Sequence, residues 1–118
     1  MTMGSVRMLV VLMVIACVVP VQGGAKGEAL PNADDLAKGK RLFGKYCAGC
    51  HGPQGRGDGY KLLGPDPADL TAPSTSKKSD SQLLATIHEG KPNMPSWRGR
   101  LSERDIHHVL AYIRTLPK

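Results

Sequence analysis

Two cysteines three positions apart with a histidine directly behind the second, Cys47-Ala48-Gly49-Cys50-His51, are the residues of this chain best placed to do chemistry. The pattern admits a structural zinc site, a redox dithiol or a covalently held haem. A structural zinc site takes four Cys or His ligands in two spaced pairs. Here there is one pair, and His88, His107 and His108 are the only other histidines. A thioredoxin-like dithiol opens a helix after a strand in a βαβ setting, and no strand is predicted anywhere in the chain. Cys-x-x-Cys-His is the attachment signature of c-type haem. The two thiols add to the two vinyl groups on one porphyrin edge, and the adjacent imidazole reaches the iron from one face. The expected cofactor is therefore one haem c, attached through Cys47 and Cys50, with His51 as a metal ligand.

A second axial ligand has to come from far along the chain. Within "GKPNMPSW", Met94 lies between two prolines, beside the only tryptophan, and is the only methionine outside the first 23 residues. A methionine is ordinarily gap-filling core, but Met/His ligation is a known haem pairing, and a proline-bounded turn could aim a thioether at the opposite face. His88 is the rival, although a histidine near a helix C-terminus is also favoured by the dipole. His107 and His108 read as an exposed or half-buried helix pair without chemistry, and Asp58 and Asp66 as turn residues.

Three helices must position these groups. "ADDLAKGKRLFGKYC" has acidic residues at its start and apolar positions at Leu36, Leu42, Phe43 and Tyr46, which predicts a helix running into the cysteines. Gly39 and Gly44 weaken it by about 1 kcal/mol each unless another element approaches closely there. In "SDSQLLATIHEG", Ser79 and Gln82 form a capping box, Leu83, Leu84 and Ile87 a stripe, and Gly90 and Pro92 a stop. In "LSERDIHHVLAYIRTLPK", Ser102 and Asp105 predict a capping box, and Ile106, Val109, Leu110 and Ile113 a buried stripe. Residues 52–78, rich in glycine and proline, predict a long loop that wraps around something.

Composition supports a group other than side chains in the core. "MTMGSVRMLVVLMVIACVVPVQGG" has one positive charge, an apolar run and small residues, the layout of a secretory leader over residues 1–23. "VIAC" also resembles a lipoprotein processing box, which would leave Cys17 as a lipid-bearing first residue. Residues 24–33 read as a flexible lead-in, and 34–118 as one domain. That domain holds Phe43, Trp97 and three tyrosines as its only aromatic residues, and domains of this size often need a cofactor for stability. The whole chain carries 16 basic and 10 acidic residues. The basic residues are scattered without interleaved aromatics, which excludes a nucleic-acid stripe and suits an acidic protein partner.

Together "GKRLFGKYCAGCHG", "GRGDGY" and "KPNMPSWRGRLSERDIHHVLAYIRTL" resemble the single-haem class I c-type cytochromes of bacteria, over nearly all of residues 34 to 117. The resemblance implies an all-α, cytochrome c-like fold of three main helices and long loops around one covalently bound haem. The first and last helices would cross, with Gly39 or Phe43 facing residues such as Leu110 or Ala111. Cys47 and Cys50 would be the thioether residues, His51 the proximal ligand and Met94 the distal one. A carbonyl that precedes a proline, with Pro65 and Pro67 as the candidate prolines, would accept the second N–H of His51. The function implied is electron transfer between exported or membrane-bound redox proteins, with no substrate transformed, by a monomer or a subunit of a larger redox complex. The expected location is periplasmic, with a membrane tether only if Cys17 is lipidated. The alternatives are a five-coordinate haem protein that binds a small ligand, as a sensor or peroxidase, and a zinc-binding module.

Overall fold

The computed structural model describes residues 30–118. The expected leader, Cys17 and residues 24–29 of the lead-in lie outside the described residues. The helices are α1 (Ala33–Tyr46), α2 (Ala48–His51), α3 (Pro73–Ser76), α4 (Asp80–Glu89) and α5 (Glu103–Arg114). Among the described residues there is no strand, only the isolated bridges Lys91–Met94 and Arg98–Leu101. The three long helices match the expected set, and α2 and α3 are single turns too short to leave a periodic signal. None of these helices is long and apolar enough to cross a membrane.

α1 starts where Asn32 accepts from the Asp35 N–H at 2.9 Å and Asp35 Oδ2 accepts from the Asn32 N–H at 3.3 Å, a reciprocal cap. α4 has the Ser79–Gln82 capping box read from the sequence. At α5 only half of the expected box forms. The Ser102 hydroxyl accepts from the Asp105 N–H at 3.1 Å, while Asp105 Oδ1 lies 2.6 Å from Lys38 Nζ on α1. An ammonium group is the stronger partner for that carboxylate.

α1 and α5 cross and make the main helix–helix contact. Phe43, Val109 and Ile113 meet there with Leu70 and Leu116, and full burial of such a side chain contributes about 1.5–3 kcal/mol. Gly39 is the point of closest approach: a Cβ there would overlap the His108 carbonyl and come within 3.0 Å of Tyr112 Cβ. The crossing partners are thus His108 and Tyr112, within one turn of the expected Leu110 and Ala111, because the contact face of α5 is set by Val109 and Ile113. Phe43 and Tyr112 also pack ring on ring at 5.4 Å.

His108 corrects a second expectation. It is only 8% exposed, and its Nε2 lies 3.1 Å from Asp35 Oδ1. Asp35 therefore caps α1 with one oxygen and holds α5 with the other. A carboxylate from the neighbouring helix thus meets Nε2 of this buried histidine, while its Nδ1, 3.9 Å from Asp105 Oδ1, has no hydrogen-bond partner among the described residues.

Two predictions follow from the crossing. Gly39→Ala should destabilise the folded protein by about 1–3 kcal/mol or more, since backbone must shift, whereas Gly44→Ala, with open space at its Cβ, should stabilise by about 0.5–1 kcal/mol; thermal unfolding of the two variants checks this. The Asp105 carboxyl is held below its ordinary value, first by Lys38 and then by Ser102. A depressed carboxyl stabilises above its ordinary pKa, and that stability is lost as pH falls through the lowered value. Urea midpoints against pH should show this acid-side loss, under about 1 kcal/mol for so exposed a pair, and Lys38→Met should flatten it.

Candidate functional site

The Cys47–His51 segment is a continuation of α1. Cys47 ends α1 with its N–H on the Phe43 carbonyl, and the N–H groups of Cys50 and His51 both return to the Cys47 carbonyl, at 3.2 and 2.9 Å. The carbonyls left at the end of α2 would be orphans. They are taken by the following loop, in which Tyr60 N–H donates to Gly49 at 2.6 Å, Gly59 N–H to Cys50 at 3.1 Å and Gly57 N–H to His51 at 2.8 Å. Such close approach explains Gly59, where a Cβ would lie 2.5 Å from the carbonyl oxygens of both Cys50 and Gly49. Gly57 and Gly59 thus serve backbone-to-backbone folding, whereas Gly52 and Gly55 make room for the side chains of Asp58 and Leu116.

The same loop then turns back under the imidazole. His51 Nδ1 donates to the Ala68 carbonyl at 2.9 Å, which corrects the expectation of a proline-preceding carbonyl: the acceptor follows Pro67, because the chain has passed both prolines when it returns to the ring. A carbonyl can only accept, so Nδ1 carries the proton and Nε2 keeps its lone pair. Thr75 adds a further tie, its hydroxyl donating to the Asp69 carbonyl at 2.9 Å.

Met94 arrives by a different route. Gly90 ends α4, and Lys91 and Met94 exchange a reciprocal pair of backbone hydrogen bonds, both 2.9 Å, which makes a tight turn with Pro92 and Pro95 on either flank of Asn93 and Met94. After it, Trp97 N–H donates to the Ile87 carbonyl at 3.1 Å, and the Ser96 hydroxyl donates to the His88 carbonyl. The turn is therefore strapped back onto α4. Trp97 meets Tyr46 edge-on at 5.4 Å, which joins the Met94 loop to the last residue of α1.

Cys47, Cys50, His51 and Met94 all line one cavity of about 390 Å³. Its other walls are mainly apolar, with Phe43, Val109 and Ile113 from the α1–α5 core and Leu83 and Ile87 from α4, and carry Asp66, Lys78 and Lys91 as charged groups. A closed, dry hole of that size would cost on the order of 9 kcal/mol, at about 24 cal/mol per Å³, comparable to the whole stability of a small domain. The space calls for an apolar occupant. Two thiols, an imidazole with a free Nε2 and a thioether are a donor set that fits a covalently held haem.

The rival chemistries find less support. Burial, with a smaller push from Cys50, raises the Cys47 thiol to about 11, the opposite of the lowered thiol that a redox dithiol uses. Among the described residues no three His, Cys, Asp or Glu side chains converge as a metal-ion site. His51 is the only histidine on the cavity wall, and no arginine lines it. His88 instead places Nε2 3.0 Å from Glu103 Oε2, linking α4 to the start of α5. Three contributors were missed by sequence reasoning: the Ala68 carbonyl, the Tyr46–Trp97 pair and Asn93, whose amide bonds the loop carbonyls of Leu63 and Pro65. Only Tyr46 and Trp97 carried a signal, as aromatic residues flanking the two expected ligand positions.

Comparison with known proteins agrees with this chemistry. Residues 34–113 match the family described as "Cytochrome C oxidase, cbb3-type, subunit III". The chain is similar to cytochrome c6 of Synechocystis sp., 36% identical over 85 residues that cover 69% of this chain and 65% of that protein. It is also similar to the cbb3-type cytochrome c oxidase subunit FixP of Bradyrhizobium diazoefficiens, 30% identical over 70% of this chain but only 28% of that subunit. Among solved structures, cytochrome cL of the marine methylotroph Methylophaga aminisulfidivorans superposes with a TM-score of 0.58 and 26% identity, over 73% of this chain and 55% of that one. The chain thus spans just under two thirds of the first relative and less than a third of the second.

The cavity predicts haem-dependent folding. Produced without haem attachment, the chain should melt broadly and without a cooperative transition, while the haem-loaded protein melts sharply. A sharp calorimetric transition in the haem-free chain would contradict this.

Proposed function

We propose that the chain, which belongs to the single-haem class I c-type cytochromes and transfers electrons on a covalently attached haem c, does so as an exported carrier, with Cys47 and Cys50 as the thioether residues and His51 and Met94 as the axial ligands. The observation that carries this reading is the convergence of those four side chains, from two distant segments, on one apolar cavity. When bound, haem c supplies a one-electron Fe(II)/Fe(III) couple and no reaction of a substrate. The Ala68 carbonyl holds the proton on Nδ1 of His51 and so leaves Nε2 to bind metal. The Lys91–Met94 turn holds the thioether sulfur on the cavity wall. Apolar walls of Phe43, Leu83, Ile87 and Val109 exclude water, which favours the less charged, reduced state and raises the potential.

The partner we infer is an acidic redox protein, met through a small and transient interface. Lys78 and Lys91 stand at the cavity wall, and Arg98 and Arg100 are exposed on the segment that follows Met94. Near them Tyr60, Leu62 and Leu63 are 75%, 52% and 100% exposed, an apolar contact that needs no charge. We place the carrier outside the cytoplasm, with residues 1–23 removed as a leader, where thioether attachment and an oxidising compartment go together.

Spectra test the ligand assignment. Protein from exported expression should show sharp low-spin bands and the weak ferric band of a sulfur–iron bond, and Met94→Ala should lose that band and gain carbon monoxide binding. Wild-type protein that is already high-spin and binds carbon monoxide would replace electron transfer with the small-ligand reading.

A further inference from the structure

Residues 61–67 form part of the cavity wall, through Leu62, Pro65, Asp66 and Pro67, yet almost nothing of this segment is buried. Leu62 is about half exposed and Leu63 wholly so. Apolar packing therefore cannot hold it in place. The Lys61–Asp66 ion pair at 3.1 Å is internal to the segment and solvated, and such pairs contribute little. Among the described residues, the hydrogen bonds that tie the segment to the rest of the fold come from one side chain. Asn93 Nδ2 donates to the Leu63 carbonyl and to the Pro65 carbonyl, both at 3.1 Å, which uses both amide protons. Gly64, between the two acceptors, has φ +119°, and a Cβ there would come within 2.7 Å of Asn93 Nδ2. The two carbonyls can converge on one amide because the residue between them has no side chain.

Asn93 is itself fixed. It sits inside the Lys91–Met94 turn, preceded by Pro92 and followed by Met94 and Pro95, so its backbone has little freedom. A rigid turn thus holds a loose segment across the cavity through one amide. We propose that Asn93 is a positioning residue: it closes residues 61–67 against the Met94 turn and so keeps exogenous ligands out of the cavity. The proposal rests on the haem reading of that cavity and adds to it the group that controls access.

The test uses the haem-loaded full chain and two readouts. Ferric protein is titrated with imidazole and followed by the main haem absorption band, and cleavage by trypsin after Lys61 is timed in the same preparations. Loss of one or two net hydrogen bonds corresponds to about tenfold in an opening equilibrium. Asn93→Ala should therefore bind imidazole about tenfold more tightly and be cleaved after Lys61 about tenfold faster. Asn93→Asp, the same shape with no donor, should behave at least as strongly, because its carboxylate faces two carbonyl oxygens. Thr115→Ala serves as the control. It removes a hydroxyl bond to the Tyr112 carbonyl at the exposed end of α5, away from the segment and the cavity wall, and should leave both readouts at wild-type values.

Wild-type imidazole affinity in Asn93→Ala overturns the proposal, whatever the cleavage rate. So does an equal rise in Thr115→Ala, which would mark general loosening. A wild-type protein without a haem spectrum would fail the reading of the site itself, and unchanged cleavage after Lys61 in Asn93→Ala would then still overturn the closing role of Asn93.

Discussion

One hydrogen bond, from His51 Nδ1 to the Ala68 carbonyl at 2.9 Å, orders much of this structure. It fixes which imidazole nitrogen is presented to the cavity. It also requires the chain to leave the end of α2, fold back over the carbonyls of Gly49, Cys50 and His51, and return beneath the ring within 17 residues. That path explains Gly57 and Gly59, where backbone lies on backbone, and Gly52 and Gly55, where it lies against the side chains of Asp58 and Leu116. It also explains why residues 52–72 contain no regular element, since the backbone N–H groups that bond there donate to the end of α2 or to one another.

Around that loop, three separate restraints keep the cavity open. The glycine at position 39 lets α1 and α5 approach closely enough to share Phe43, Val109 and Ile113 as one wall. Arg114 holds the opposite end of α5 to the start of α4, with Asp80 Oδ1 at 2.6 and 2.8 Å and the Lys78 carbonyl at 2.7 Å. The Lys91–Met94 turn, strapped to α4 through Ile87 and His88, supplies the third side. The first two restraints connect segments far apart in the chain and the third is local, so the small aliphatic core is spread around a space instead of filling it. In a chain with so few aromatic residues, a bound planar group completes what side chains leave undone.

Much of this was legible from the residues alone, and the reason differs by element. The three long helices carry caps and apolar stripes, which are local signals. Cys47, Cys50 and His51 are adjacent, so their proximity needed no fold. Met94 stood out because two prolines and a tryptophan surround a lone methionine. What escaped was non-local or had no residue signature. A backbone carbonyl such as that of Ala68 looks the same everywhere in a sequence. His108 appeared to be a surface residue because its partner, Asp35, lies on another helix, and Asp105 turned from its own cap to Lys38 for the same reason. The face of α5 that meets Gly39 is set by side-chain packing, which placed His108 and Tyr112 there instead of Leu110 and Ala111.

The central claim is that the Cys47–His51 turn holds a haem covalently inside this cavity. Protein from exported expression, stripped with acidified acetone and digested with trypsin, reports on it directly through the mass of the peptide spanning residues 46–56. The account predicts that peptide at its own mass plus one haem, with no free thiol at Cys47 or Cys50. The same peptide at its unmodified mass, with both thiols free and all haem in the acetone, would contradict it.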